Sequence, residues 1–391
     1  MTKIYLDHAA TSPTDKEVVD TMKEFFNEKY GNPSSIHTFG QRAARAINDA
    51  RKKVAELIGA DDDSEIIFTS GGTEADNLAI KGAAMALKDK GKHIITSSIE
   101  HHAVLHTCEF LEKHLGFKVT YLPVDKNGFV DPKDVEKAIN SDTILISIMM
   151  ANNEIGTIQP ISEIGNIAQK HNVYFHTDAV QAIGQLPVDV NKLNVHMLSL
   201  SAHKFNGPKG VGALYLRRGL KIVPQMSGGA QERKRRASTE NVPGIVGLGK
   251  AAELADKRLK DKNEKYTYLR DKLIDEIEKN VDEVILNGPR GNKRLPNNIS
   301  FCFRHIEGES ILLNLDMNGI AASSGSACTS GTLDPSHVLL AIGLSHEIAH
   351  GSVRFSLGPN NNEEDINKVI EILPGIIQKL RDMSPLYEEN N

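Results

Sequence analysis

Four features of this chain could carry chemistry, and each stands beside a short apolar run or a flexible loop. Lys204 closes the segment Ser201-Ala202-His203-Lys204, directly after the apolar stretch 197–200. A lysine after a strand is ordinarily a solvated surface residue. A partly buried lysine beside another cation has a lowered pKa and can condense with a carbonyl to form a Schiff base. Asp178 ends the run Val173-Tyr174-Phe175-His176-Thr177. A carboxylate at that depth needs a positive partner, such as a protonated pyridine nitrogen, or else serves as a helix N-cap. Ser70-Gly71-Gly72-Thr73 links a strand-like run to a helix starting near Thr73. Glycines let backbone approach an anion there, and the unpaired N–H groups of a helix start suit a phosphate. The segment is neither a P-loop nor a GxGxxG fingerprint. Cys328 lies in Ser323-Ser324-Gly325-Ser326-Ala327-Cys328-Thr329-Ser330-Gly331, a small, polar stretch that reads as an exposed loop. A thiol in that setting can act as a nucleophile once ionised. Cys302 alternates with phenylalanines and Cys108 shares a helical face with Val104, Leu105 and Leu111, so both read as core.

Further polar groups follow other apolar runs. Glu100-His101-His102 follows one, Asn152-Asn153-Glu154 another, and Gln181 comes three residues after Asp178. Ligands of an open α/β sheet bind beyond the carboxyl ends of its strands. One polar strand end is ordinary loop polarity, whereas five delivered to one edge describe a site. A lysine, an acidic partner and a phosphate cradle are together the parts that a pyridoxal 5'-phosphate (PLP) enzyme requires. His101 is a candidate for stacking on a cofactor ring or for proton transfer. His102, His106 and His114 read as structural, and the basic run Arg233-Lys234-Arg235-Arg236 as a solvated loop.

These residues need a scaffold, and the hydrophobic pattern supplies one. Val18, Val19, Met22, Phe25 and Phe26 recur at helical spacing before Gly31, and a second helix is predicted over about 37–58. Seven short apolar runs then follow, at 65–70, 93–98, 118–124, 143–150, 173–178, 195–201 and 211–217, mostly separated by helical segments. One of those segments opens with Asp131-Pro132, an N-cap followed by a first-turn proline. This alternation predicts an α/β domain with a mostly parallel seven-stranded sheet. After about residue 240 a long charged helix, an alternating strand at 298–303 and further helices predict a smaller α+β C-terminal domain. The expected division is an N-terminal segment 1–15 joining the small domain, a large domain 16–255 and a small domain 256–391.

Composition narrows the classes. The chain has 391 residues, enough for two domains, and a formal net charge of -5, so neither a nucleic-acid nor an anionic-membrane partner is expected. Three cysteines make no disulfide framework and suit a reducing compartment. The first residues lack an apolar signal core, and no stretch approaches the ~20 apolar residues of a membrane span. A cytoplasmic protein without a metal site is the expectation.

The ordered motifs resemble a known family, the NifS/IscS-type cysteine desulfurases of the class-V aminotransferase group, which are fold-type I PLP enzymes. The resemblance spans essentially the whole chain. It begins with Tyr5-Leu6-Asp7-His8-Ala9-Ala10-Thr11 and Gly31-Asn32-Pro33-Ser34-Ser35, and continues through 68–77, 151–157, 201–204 and the Cys328 segment. The long cysteine segment ending in Pro335-Ser336-His337-Val338 looks like the desulfurase group with an extended catalytic loop. By this resemblance Lys204 binds PLP covalently, Asp178 pairs with its ring nitrogen, Gln181 and Asn153 lie at the ring oxygen, and His101 stacks on the ring. Gly72, Thr73, Ser201, Ala202 and His203 belong to the cofactor site, chiefly around the phosphate, and Thr239 reaches the phosphate of a second subunit in a homodimer. Arg354 and Asn153 hold the substrate, L-cysteine. Cys328 takes its sulfur as a persulfide, with alanine as co-product, for delivery to an iron–sulfur scaffold protein. Ala230 and Ser238 stand where the family usually has glycine. The chain stops soon after Tyr387, which favours the NifS, nitrogen-fixation, branch. A selenocysteine lyase or an aminotransferase on the same fold, and a PLP-free assembly scaffold, are the competing readings.

Overall fold

The structure, a computed structural model, describes residues 3–325, 335–385 and 387. Cys328 therefore lies outside the described residues. After a short β1 (Ile4–Tyr5), the chain forms α1 (Lys16–Asn27), whose first turn is capped by the Asp15 carboxylate, and α2 (Thr38–Leu57). Then strands and helices alternate: β2 (Ile66–Thr69), α3 (Gly72–Leu87), β3 (His93–Ser97), α4 (His102–Leu115), β4 (Lys118–Leu122), α5 (Pro132–Ala138) and β5 (Thr143–Ser147). They continue with α6 (Ile161–Lys170), β6 (Tyr174–Asp178), β7 (Met197–Ser201) and β8 (Gly212–Leu216). All seven apolar runs become strands of one sheet, in the order β2-β8-β7-β6-β5-β3-β4. Strands β4, β3, β5, β6 and β7 pair in parallel, and β8 runs antiparallel to both β7 and β2. The central strands β5 and β7 are buried at every position, because helices cover both faces of a parallel sheet.

Strand order reverses direction of travel at β3, which has β4 on one side and β5 on the other. A switch point of that kind opens a crevice beyond the carboxyl ends of the strands. Gly212 fits β8 beside the loop that follows β2. A Cβ there would lie 2.8 Å from Gly71 Cα and 2.6 Å from the Leu200 carbonyl oxygen, both backbone atoms that cannot give way.

The long helix α7 (Val242–Asn280) leads into the C-terminal part. Its first turns, Val242 to Ala255, bury side chains in the core beside the large sheet, and Tyr266 to Ile277 bury theirs in a second core. That second core also takes Ile4 and Leu6 and the sheet β12-β10-β9, formed by β9 (Val284–Leu286), β10 (Asn298–Phe303) and β12 (Ser352–Ser356). Around it lie α8 (Gly308–Met317), β11 (Ile320–Ala321) paired with β1, and α11 (Glu363–Asp382), while α9 (His337–Ala341) and α10 (His346–His350) bury Val338, Leu339 and Ala349 in a smaller cluster with Ile99, Met149, Ile155 and Cys302. Cys108 and Cys302 are buried, as their spacing implied. Among the described residues no helix is long and apolar enough to cross a membrane.

Candidate active site

Five strand ends converge on a cavity of about 750 Å³. Its lining includes Gly72, Thr73, His101, Asn153, Asp178, Gln181, Ser201, His203, Lys204 and Arg354, so ten of the candidate residues are brought together. The N-terminal segment straps across it. Ser12 N–H and Oγ both donate to the His203 carbonyl, at 2.9 and 2.7 Å, and Ala9 N–H donates to Ser356 Oγ at 2.8 Å.

Lys204 sits in a 3-10 turn, Ala202–Lys204, directly after β7. Its Nζ donates to the carbonyls of Ala9 and Ala10 at 2.5 and 2.9 Å. Asp178 ends β6, and its Oδ1 accepts the Val180 N–H at 2.9 Å. Burial pushes this carboxyl up to about 6, while the Val180 N–H and the Lys204 charge hold it down. Gln181 Nε2 donates to the Ala9 carbonyl at 3.0 Å. His101 caps α4, with Nδ1 accepting the Ala103 N–H at 3.1 Å. Burial above all, then the Lys204 charge, lowers its pKa to about 4. The ring is therefore neutral at pH 7, and since Nδ1 accepts, its proton is on Nε2.

A second opening of about 400 Å³ is lined by Thr11, Ser70 to Glu74, Ser201, His203, Lys209 and Gly210. It lies at the start of α3, whose N-cap residue Gly71 has no side chain to satisfy the first-turn N–H groups. Those donors and the helix dipole suit an anion. His203 is neutral, its pKa lowered to about 4 by burial and by Lys204 and Lys209, and its Nδ1 lies 3.1 Å from Thr11 Oγ1.

The two asparagines after β5 separate by contact. Asn152 is fully buried and accepts the Glu154 and Ile155 N–H groups, while Asn153 lines the cavity. Arg354, on β12, donates from Nη1 to the Asn153 carbonyl at 2.9 Å and from Nη2 to Asp7 Oδ1 at 3.0 Å. Its Nε is buried with no hydrogen-bond partner. Ala202 is buried behind Lys204 rather than in the lining, and Thr239 is exposed, outside both openings of the protomer. Cys328 lies outside the described residues, but Gly325, shortly before it, lines the cavity, and Ser336, shortly after, donates to Glu154 Oε2 at 2.5 Å.

Three readings from the sequence change. His102 and His106 line the cavity, together with Asp76 and Phe110. These come from α3 and α4, the helices that start directly after two of the strand ends, and His102, His106 and Phe110 recur at a spacing of four along α4. The basic run is a solvated loop only in part: Arg233 and Lys234 are exposed, but its C-terminal end and the residue before it are built into the fold. Arg236 grips Glu74 with two nitrogens, and the adjoining Glu232 is buried against Arg51 and the Phe68 N–H. Ser238 has φ 98°, a conformation that favours glycine, whereas Ala230 has an ordinary φ of -87°. Ser238→Gly is expected to stabilise the chain by about 0.5–1 kcal/mol, the left-handed strain relieved less the entropy glycine adds to the unfolded chain. The denaturant midpoint at unchanged slope measures this.

The sequence matches the family described as aminotransferase class-V over residues 4–369. It is 60% identical over 387 residues to a protein of Dictyoglomus turgidum named cysteine desulfurase IscS, covering 99% of this chain and 98% of that one. A solved structure described as a NifS-like protein superposes with a TM-score of 0.91 at 40% identity, covering 97% of this chain and all of the other. A second, described as SspA in complex with cysteine, gives a TM-score of 0.81 at 40% identity, with coverage of 92% and 100%.

Proposed function

Since this chain belongs to the class-V aminotransferase family, we propose that it is a PLP-dependent cysteine desulfurase, which converts L-cysteine to L-alanine and passes the sulfur to Cys328. The observation that carries this reading is the placement of Lys204, Asp178 and the bare N-terminus of α3 around connected openings at one sheet edge. The site's chemistry fits the cofactor. The uncapped helix start suits a phosphate, the buried Asp178 carboxylate suits a ring N–H cation, and the buried, unpartnered Arg354 Nε suits a carboxylate. Lys204 would hold the cofactor covalently, Asp178 its ring nitrogen, and Gln181 and Asn153 its ring oxygen. Gly72, Thr73, Ser201 and His203 would hold the phosphate, with Ala202 packed behind. When bound, PLP supplies an electron sink for charge released at the substrate α-carbon.

The chain's own groups do the rest. Arg354 and Asn153 orient the substrate carboxylate. Lys204 Nζ takes the α-proton and later returns a proton, and His101 holds one on Nε2 facing the same cavity. The Cys328 thiolate takes the sulfur: a bond forms between the two sulfurs as the substrate's carbon–sulfur bond breaks, its electron pair stays with the substrate carbon, which is protonated on the way to alanine, and a persulfide is left on Cys328. Its acceptor is an iron–sulfur scaffold protein, of which nitrogen-fixation assembly is one case, and its setting is the cytoplasm.

The proposal includes a homodimer, in which Thr239 completes the phosphate site of the other subunit. Phe26, Tyr30, Phe39 and Ile36 (95% exposed) give the protomer an apolar surface in the region 26–39 that supports this. It also includes the division at 15 and 255, which α7 supports by serving one core before residue 255 and another after residue 266.

Single-turnover reaction with L-cysteine tests the function, using mass spectrometry for the persulfide and an alanine assay. Wild type should carry one extra sulfur on Cys328. Cys328→Ser should keep the visible absorption of bound cofactor and lose at least about 10³-fold in sulfur transfer. Undiminished sulfur and alanine release by Cys328→Ser would make the enzyme a lyase of another kind, and no visible band in wild type would remove the cofactor reading.

A further inference from the structure

Beneath the cavity floor lies a line of polar side chains for which the proposed chemistry gives no use. In the parallel pairing of β5, β6 and β7, Ser147 stands opposite His176 and Asp178 opposite Ser199. Residues in register share a face, and positions two apart in a strand do also, so Ser147, His176, Asp178 and Ser199 all lie on one side of the sheet. Three of them form a chain: His176 Nδ1 to Ser147 Oγ at 2.9 Å, and His176 Nε2 to Ser199 Oγ at 2.9 Å. Asp76 of α3 comes down on this chain. Its Oδ1 is 3.6 Å from His176 Nε2, buried and without a hydrogen-bond partner, and the residue is 1% exposed while lining the cavity. Each of Ser147, His176 and Ser199 is fully buried.

We propose that Asp76 is a positioning residue that stays protonated at neutral pH, so that the negative charge of the floor rests on Asp178 alone. The two carboxyls are differently supported. Asp178 accepts a backbone N–H and feels the Lys204 cation, whereas Asp76 meets a serine hydroxyl and a neutral imidazole. Hydrogen bonds from N–H groups and a nearby cation favour the charged form, and burial without them favours the neutral form. Two like carboxyls in one dry site settle into one charged and one neutral partner. One neighbour opposes this, since a hydrogen bond from the Ser199 hydroxyl favours the charged form of Asp76, but burial outweighs it and no cation comes to its aid. His176 is held neutral by burial, with its pKa lowered to about 3, so it offers no cation. Glu100, beyond the end of β3, accepts Ser97 Oγ and the Met149 N–H and is pushed up to about 8 by burial. His101 is neutral as well. Burial and the Asp178 charge raise Asp76 well above the usual carboxylate range. In the protonated form the Asp76 hydroxyl can donate to Ser199 Oγ, and Asp76, His176, Ser147 and Ser199 are then all uncharged beside the Asp178 carboxylate.

The consequence for catalysis, which rests on the proposed PLP site, is that the ring nitrogen meets one fixed carboxylate rather than a pair whose charge can shift between two residues. The protonation itself does not depend on a cofactor, so infrared spectra of the cofactor-free chain test it first. At pH 7, Asp76→Asn should remove one carbonyl-stretch band of a protonated carboxylic acid and Glu100→Gln a different one. Ser199→Ala, which keeps the carboxyl, should shift the Asp76 band without removing it. Loss of carboxylate intensity instead of a protonated band in Asp76→Asn overturns the proposal, and so does an Asp76 band indifferent to Ser199→Ala. In the cofactor-loaded protein, Asp76→Asn is a neutral isostere and should leave the pH midpoint of the visible band in place, while Asp178→Asn moves it by about one unit or more. A comparable shift in Asp76→Asn overturns the proposal. Absence of any cofactor band would sink the PLP reading and leave the infrared result standing.

Discussion

Lys204→Ala should remain folded and lose turnover by about 10³-fold or more, the range expected if Lys204 has its proposed roles of proton transfer and covalent cofactor attachment. The structure separates the two effects. Lys204 Nζ donates to the Ala9 and Ala10 carbonyls, and alanine leaves the first still accepting from Gln181 and releases the second. Both residues line the open cavity, where water can satisfy them, and about 1 kcal/mol of stability is at stake. The strap itself is held elsewhere, by Ser12 on the His203 carbonyl, by Asn206 N–H on Ser12 Oγ and by Ser356 on Ala9. Thermal unfolding of the variant should therefore stay close to wild type while alanine production disappears. A small primary amine added to the variant should restore part of the rate, because it can occupy the space of Nζ and carry the proton. Turnover above a tenth of wild type without added amine would mean that another group does the work assigned to Lys204.

The centre of the sheet was readable from the sequence because its strands there are covered on both faces, whereas the edge strand β4 is partly exposed. Runs such as Thr143 to Ser147 and Met197 to Ser201 are buried at each position, and burial at each position forces near-continuous apolar sequence with Gly or polar punctuation. The polar ends of those runs were equally plain, which is why Asp178 and Lys204 could be named before any geometry, whereas Asn153 was told from Asn152 only by the family resemblance. The helix-borne part of the site was not readable. Asp76, His102, His106 and Phe110 sit on helical faces, where a polar row toward a cavity has the same pattern as a polar row toward solvent. Arg233 to Arg236 resisted for another reason: the partners that make the turn, Glu74 and the Arg51 beside Glu232, come from segments more than 150 residues earlier. Ser238 was visible as a departure from a glycine, and its positive φ shows what that departure strains. Thr239 and Cys328 belong to a different case, since one role requires a second subunit and the other residue lies outside the described ones.

Arg354→Lys keeps the charge and removes the fork, so it divides the two tasks that meet at this side chain. One task is internal. Nη1 ties the Asn153 carbonyl, and Nη2 ties Asp7, joining β12 to the loop after β5 and to the N-terminal strap. Arg354 is 3% exposed, so a lysine there can serve one of these acceptors at a time, and the variant should lose about 2–4 kcal/mol of stability. Complete truncation to alanine is worse, because it leaves Asp7 facing a partly buried gap without its counter-ion. The other task is the proposed one, recognition of the substrate carboxylate, for which the buried Nε without an internal partner is the candidate atom. Losing one charge-assisted hydrogen bond of that kind costs about 1.5–3 kcal/mol, or about 10–150-fold in kcat/KM for L-cysteine, expressed mainly in KM. Asp7→Asn is the control. It weakens the internal tie without touching Nε, so it should lower the unfolding temperature and leave KM for cysteine near wild type. If Arg354→Lys and Asp7→Asn lose stability alike and neither changes KM, Arg354 is a structural clamp and the substrate carboxylate is held by another group. If only Arg354→Lys raises KM, the unpartnered Nε is the recognition atom, and its lack of an internal partner is the structural reason that the site binds an amino acid rather than a simple amine.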